Sequence, residues 1–190
     1  LGAAPYIPLL ANRKHLLIYF SSTVILRSIK MSIFVIIRNQ PMFQLIRQIS
    51  DRLLSVYPER EAYAIARHLL EVRFGINQTD LCLGKVKQFS LEERNEIENI
   101  IQRLLQHEPI QYILEQADFY GHSFLVTKDV LIPRPETEEL VDWVINSMRS
   151  KSTPLNVLDI GTGSGCIAIS IAKELPGTAV TAFDVSEKAI

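Results

Sequence analysis

The sequence predicts an α/β protein: a small helical bundle, then a β-hairpin connector, then the opening of a parallel, Rossmann-like α/β unit. Three observations predict it. Apolar residues recur at helical spacing through residues 42–113. Short β-prone runs flank Gly121. An apolar run at 155–160 leads into glycines at 161, 163 and 165, a helical pattern, a second β-prone run and Asp184. A chain of 190 residues has room for one ordinary domain, or for a small domain plus part of another. With 47% hydrophobic and 22% charged residues it reads as globular, which excludes a disordered tail, a fibre and a disulfide scaffold. The net charge of −1 leaves no global footprint for nucleic acid or an anionic membrane. Cys82 and Cys166 lack the paired spacing of a metal site and suit a reduced compartment, so no metal is expected.

Charge is unevenly spread. Residues 1–41 hold five cations and no acid, whereas residues 42–190 carry a net −6. The apolar run Leu16–Leu26 is followed by Arg27-Ser28-Ile29-Lys30, whose cations interrupt a membrane span and offer no small-residue cleavage site. An organelle transit peptide is the remaining targeting reading. The preferred one is an extension outside the native domain, because the chain opens at Leu1 and Met42 is followed at once by a clean amphipathic pattern, with Met31 the other candidate start. Cytoplasmic localisation without membrane association follows as the expectation.

The helical module, 42–113, is read from three stripes. Phe43, Ile46, Ile49, Leu53 and Leu54 form the first, which Tyr57-Pro58 breaks. Ala62, Ile65, Ala66, Leu69 and Leu70 form the second, with Gly75 placed as its C-terminal cap. Ser90 and Glu93 announce the third as a reciprocal capping box, and Ile97, Ile100, Ile101, Leu104 and Leu105 follow, ended by Pro109. His68 and His107 lie on or beside polar faces and are read as solvated. A bundle with no chemistry of its own, placed before an α/β unit, suggests substrate docking.

The connector, 114–135, reads as a hairpin, Ala117–Tyr120 and Ser123–Val126 around Gly121-His122, with a second turn at Lys128-Asp129. Pro133 and Pro135 then flank Arg134 and stiffen the chain in an extended form. Glu136, Thr137 and Glu138 open a helix with Leu140, Val141, Val144, Ile145 and Met148 on its apolar face. Acids in a first turn ordinarily serve the helix dipole. The competing reading makes Arg134, Pro135, Glu136 and Thr137 a pre-organised wall of a site.

Residues 136–190 carry the ligand chemistry. Leu155–Ile160 reads as a strand of the buried parallel type, and Ala179–Phe183 as a second strand ending in Asp184. Ser186 is placed as the cap of a further helix. The dinucleotide fingerprint would need a glycine where Cys166 stands, and the phosphate-loop motif has no match. Asp159 and the glycines at 161, 163 and 165 instead suit a nucleoside whose tail is an amino acid, S-adenosylmethionine. Glycine lets the backbone approach such a ligand closely. Asp184 can accept from ribose hydroxyls, and Asp159 is placed to help hold the ammonium end.

Four segments in order, Glu108-Pro109-Ile110-Gln111-Tyr112-Ile113, Phe119-Tyr120-Gly121, Ile132-Pro133-Arg134-Pro135-Glu136-Thr137-Glu138 and Asp159-Ile160-Gly161-Thr162-Gly163-Ser164-Gly165, resemble the HemK/PrmC protein-glutamine N5-methyltransferases. The resemblance covers about residues 42–190. It implies a class I S-adenosylmethionine-dependent methyltransferase domain, preceded by a helical domain that docks a class 1 peptide chain release factor. The reaction implied is methylation of the glutamine amide nitrogen in the factor's Gly-Gly-Gln motif, a step of translation termination. Asp159, Gly161, Thr162, Gly163, Ser164, Gly165 and Asp184 would then line the cofactor site. The family's Asn-Pro-Pro-Tyr motif is absent from these 190 residues, so no catalytic residue is assigned. The chain is expected to be an incomplete, inactive N-terminal portion, and a monomer. Alternatives are a ribosomal-protein glutamine methyltransferase, a nucleic-acid adenine N6-methyltransferase, disfavoured by the acidity of 42–190, and a non-enzymatic binding fragment.

Overall fold

A computed structural model describes residues 41–83, 85–149 and 156–189. Of the basic extension expected at 1–41, only Pro41 lies among the described residues, and it is the first residue of a helix.

That helix, α1 (Pro41–Leu53), packs against α2 (Glu59–Phe74) and α4 (Leu91–Leu105), with the short helices α3 (Gln78–Cys82) and α5 (Ile110–Leu114) completing the module. The stripes meet in one core: Ile46, Ile49 and Leu53 from α1, Ala62, Ala66, Leu69 and Leu70 from α2, Ile100, Ile101 and Leu104 from α4. Burying a Leu or Ile side chain is worth about 1.5–3 kcal/mol, so this face is what makes the helices cohere. Gly75 ends α2 in the left-handed region at φ 68°, its N–H bonded to the Glu71 carbonyl at 3.0 Å. Ser90 Oγ accepts the Glu93 N–H at 3.2 Å while the Glu93 carboxylate accepts the Ser90 N–H at 2.9 Å.

Three details differ from the sequence expectation. Helix α3 was not anticipated; it is too short for periodicity to register, and the signal it does carry is the Asn77–Asp80 capping box. Helix α4 stops at Leu105 because the Gln106 and His107 N–H groups bond back to Arg103 and Leu104, and His107 turns to φ 63°. Pro109 therefore begins α5 rather than ending α4. Leu54 falls past the end of α1 and is exposed.

Strands β1 (Gln116–Phe119) and β2 (His122–Leu125) form an antiparallel hairpin with Phe119 opposite His122. Its turn is Tyr120-Gly121, not Gly121-His122. A tight two-residue hairpin turn wants positive φ at both central positions. Tyr120 stands at 48° and Gly121 at 72°, and His122 is already strand. The hairpin serves two cores. Phe119 and Phe124 pack with Val141, Ile145 and Ile171, whereas Ala117 and Val126 pack with Val130 beside Tyr112 and Ile132.

The α/β part runs α6 (Pro135–Met148), β3 (Asn156–Ile160), α7 (Cys166–Glu174) and β4 (Ala179–Phe183). Pro135 occupies the first turn of α6, where its missing N–H costs nothing, so the helix opens one residue before Glu136. β3 and β4 are parallel, in register from Asn156–Ala179 to Ile160–Phe183. Val157 and Val180 pack against the core shared by α6 and α7. The opposite face departs from the buried strand expected: Leu158, Ile160 and Phe183 are 61%, 72% and 53% exposed, because the described helices both lie on the valine side. Helix α6 likewise packs through a narrow stripe, Val141 and Ile145, leaving Leu140 and Trp143 exposed. After β4, Ser186 starts a single turn, closed by the Ala189 N–H on its carbonyl, rather than a helix. Among the described residues no helix is long and apolar enough to cross a membrane.

Candidate functional site

Between Ile160 and Cys166 the chain must turn from the end of a strand into a helix. Gly161, Gly163 and Gly165 do this at φ 78°, 53° and 74°. An L-residue there costs roughly 1–2 kcal/mol, which is why three alternate positions are glycine. The three differ in surroundings. A Cβ at Gly165 would stand 3.2 Å from Ile169 Cδ1, whereas at Gly161 or Gly163 it would meet nothing within 4 Å. Gly165 is thus glycine for helix packing, and Gly161 and Gly163 leave backbone bordering open space.

The loop is tied to the end of β4. The N–H groups of Gly161 and Thr162 donate to the Phe183 carbonyl at 2.7 and 3.1 Å, and Gly165 closes a turn on the Thr162 carbonyl at 2.9 Å. The Thr162 hydroxyl donates to Asp159 Oδ2 at 2.8 Å. Asp184 completes the frame: Oδ2 accepts from Gly163 N–H at 2.8 Å and Oδ1 from Ser186 N–H at 2.9 Å. Those bonds, Ser186 first and then Gly163, hold the carboxyl below the usual carboxylate range. A carboxylate offers about four acceptor sites, so Asp184 keeps acceptor capacity beyond its backbone bonds. Cys166, at the start of α7, is buried; burial pushes its thiol up, opposed by a hydrogen bond with Ser164. An open glycine backbone beside a strand-end acid, at the carboxyl ends of two parallel strands, is suited to a ligand carrying vicinal hydroxyls.

The proline segment has a different set of partners. Arg134 is extended, at φ −107° and ψ 143°, and caps α6, with its carbonyl accepting from Thr137 N–H at 3.0 Å. Glu136 and Thr137 fall in the first turn. Glu138 Oε1 accepts the Tyr120 N–H at 2.8 Å and Asp142 Oδ1 accepts the Tyr120 hydroxyl at 3.0 Å, so this helix reaches towards the hairpin. It is the stretch just before the prolines that meets the residues following Asp184: Ala189 packs on the Val130 and Ile132 cluster, and Lys188 Nζ lies 3.7 Å from Asp129 Oδ1. Neither the Asp129 nor the Glu138 contact leaves a local signal in the sequence, since each partner lies many residues away. A separate cleft of ≈ 410 Å³ lies in the helical module, bounded by Leu45, Lys87, Phe89 and Ile97.

Comparison with known proteins gives two family matches. Residues 44–114 match the PrmC N-terminal domain, and residues 141–190 match the methyltransferase small domain. Among curated proteins, the chain is 44% identical over 142 residues to a release factor glutamine methyltransferase of Bacteroides thetaiotaomicron, covering 75% of this chain and 50% of that protein. It is 43% identical over 145 residues to one of Flavobacterium psychrophilum, covering 75% and 51%. A bifunctional methyltransferase of Rickettsia typhi is 36% identical over 167 residues, covering 77% and 32%. The chain thus spans about half the length of the first two relatives.

Proposed function

We propose that the chain is the N-terminal portion of a release factor glutamine methyltransferase, on the match to a PrmC N-terminal domain followed by methyltransferase sequence, that residues 156–189 bind S-adenosylmethionine and that the helical module docks a class 1 peptide chain release factor. The activity proposed for the whole protein is methylation of the glutamine side-chain amide in the factor's Gly-Gly-Gln motif. The observation that carries the reading is Asp184, held by the Gly163 and Ser186 N–H groups at the mouth of an open glycine loop.

The residues fit such a cofactor. The backbone at Gly161 and Gly163 has open space where a Cβ would project. The free acceptor sites of Asp184 suit the two ribose hydroxyls, and Asp159, steadied by Thr162, carries the negative charge proposed to hold the ammonium end. When bound, S-adenosylmethionine supplies an electrophilic methyl on a sulfonium sulfur. The chain's part is to hold that donor still and present a protein substrate to it. An amide nitrogen is a poor nucleophile because its lone pair is delocalised into the carbonyl. Positioning at roughly 3–3.5 Å from the methyl therefore supplies much of the acceleration. The proposed role of Arg134, Pro135, Glu136 and Thr137 is to stiffen the chain beside this site. A cytoplasmic site of action follows from the release factor as substrate.

Equilibrium dialysis with labelled S-adenosylmethionine tests the cradle. Saturable binding is expected, and Asp184→Asn is expected to weaken it at least roughly tenfold, since hydrogen bonds to a charged acceptor are worth about 1.5–3 kcal/mol. Transfer of a labelled methyl to a release factor, lost when the motif's glutamine is replaced by alanine, tests the substrate. Absence of saturable binding would sink the reading.

A further inference from the structure

Three of the segments carrying the family resemblance lie outside the glycine loop, and the structure brings them together at the hairpin. At its near end, the Glu108 carboxylate accepts from Arg103 Nε at 2.7 Å and from Lys128 Nζ at 2.8 Å. The Tyr112 hydroxyl donates to the Val130 carbonyl at 2.8 Å. Both residues belong to the helical module's last segment, and both reach the connector. At the far end, Phe119 is buried in the core of the α/β part. Tyr120, held at φ 48°, has its N–H on Glu138 and its hydroxyl on Asp142, both in α6. A non-glycine residue persists in that region only where its surroundings over-determine it. Glu138 is therefore not simply a first-turn acid facing the helix dipole. Its carboxylate is spent on the hairpin turn.

We propose that Glu138 is a positioning residue: by gripping the Tyr120 N–H it locks the hairpin onto α6. Together with the Glu108–Lys128 and Tyr112–Val130 contacts at the other end, it fixes the helical module's orientation relative to the glycine loop. The purpose of that rigidity rests on the reading above, since a module that docks a protein substrate is useful only at a set angle to the donor cradle. A locked joint presents the docked chain without a hinge closure, which leaves more of the binding energy for orientation.

Spin labels report the joint directly on the whole chain. Cys82 is exposed on α3 and Ser147 is exposed on α6, so labelling Cys82 and a Ser147→Cys change spans the two parts. Cys166 is buried with its thiol pushed up, and resists labelling. A single narrow distance peak is expected, lost in Glu138→Ala and restored in Glu138→Gln, whose amide oxygen still accepts the Tyr120 N–H. Tyr112→Phe, which removes the grip at the other end, is expected to broaden the peak with helical circular dichroism unchanged. A broad distribution in the parent chain overturns the proposal. So does a Glu138→Ala peak as narrow as the parent's, or a Glu138→Gln peak as broad as the alanine variant's. If Glu138→Ala loses its helical signal, Tyr112→Phe decides, and an unchanged peak there counts against the lock. No cofactor enters this measurement, so failure of the methyltransferase reading would show in the dialysis and leave the distances as they are.

Discussion

Asp184 carries two backbone N–H groups from different loops, and both bonds are stronger to its ionised form. Its carboxyl is held below the ordinary carboxylate range by the Ser186 and Gly163 N–H groups, so the tether contributes stability above the ordinary carboxylate value and loses it as pH falls through the lowered one. An NMR titration should show the Gly163 and Ser186 amide signals moving together, with a midpoint below that of an ordinary aspartate, and Asp184→Asn should abolish the step. A midpoint at or above the ordinary value would contradict the assignment. Ser170 is a second residue with a definite expectation. It is fully buried in α7, and among the described residues its hydroxyl has no hydrogen-bond partner. An unpaired buried polar group costs about 1–3 kcal/mol, and alanine is also the better helix former. Ser170→Ala should therefore raise stability by about 1 kcal/mol in urea unfolding.

Helix ends carry the next level of control. Ser90 and Glu93 satisfy each other's backbone donors at the start of α4, the helix that supplies Ile100, Ile101 and Leu104 to the module's core. Ser90→Ala should cost about 1 kcal/mol by the usual worth of such a cap, measurable as a lower urea midpoint with the slope unchanged. At the start of α7 the cap is Gly165, at φ 74° with Ile169 Cδ1 3.2 Å from where a Cβ would stand. Gly165→Ala combines a left-handed backbone with a close contact, and a loss of about 2 kcal/mol is expected by the same unfolding measurement. These two ends were both legible beforehand, because a capping box and a glycine before an apolar run are local patterns. The end of α4 was not. Pro109 is the conspicuous stop signal, yet the chain has already turned at His107, whose positive φ no residue type announces.

Across the whole molecule the two halves differ in self-sufficiency. The helical module encloses one core from Met42 to Ile113. The α/β part borrows Phe119 and Phe124 from the hairpin and leaves Leu158, Ile160 and Phe183 exposed on one sheet face. Residues 42–113 alone are expected to be soluble and helical, with a cooperative melt. Residues 136–190 alone are expected to be poorly folded and aggregation-prone, because that cut removes two core phenylalanines from a unit whose described sheet has only two strands, each with an unpaired outer edge. A sharp, cooperative melt of the 136–190 segment would refute this. Between the halves, Arg103 and Lys128 hold the Glu108 carboxyl down to about 2, so the joint stays charged throughout the neutral and mildly acidic range.

By itself the sequence determined what depends on neighbours a few positions apart: the three long helices of the N-terminal module, the caps at Gly75 and Ser90, the strand–glycine loop–helix–strand order, and the acid that directly follows the second strand. Period, capping and turn chemistry act within one or two turns of chain, so they can be read from residue types alone. Tertiary structure decided the contacts between distant positions. Glu138 grips Tyr120, Tyr112 reaches Val130, and Asp184 holds Gly163 across 21 residues. It also decided that Leu140 and Ile160, apolar at positions expected to be buried, face outward. A carboxylate or a leucine carries the same local signature whether its partner is water, a helix dipole or a backbone N–H brought in from another element. Only the packing of helices on one face of the sheet chooses among them.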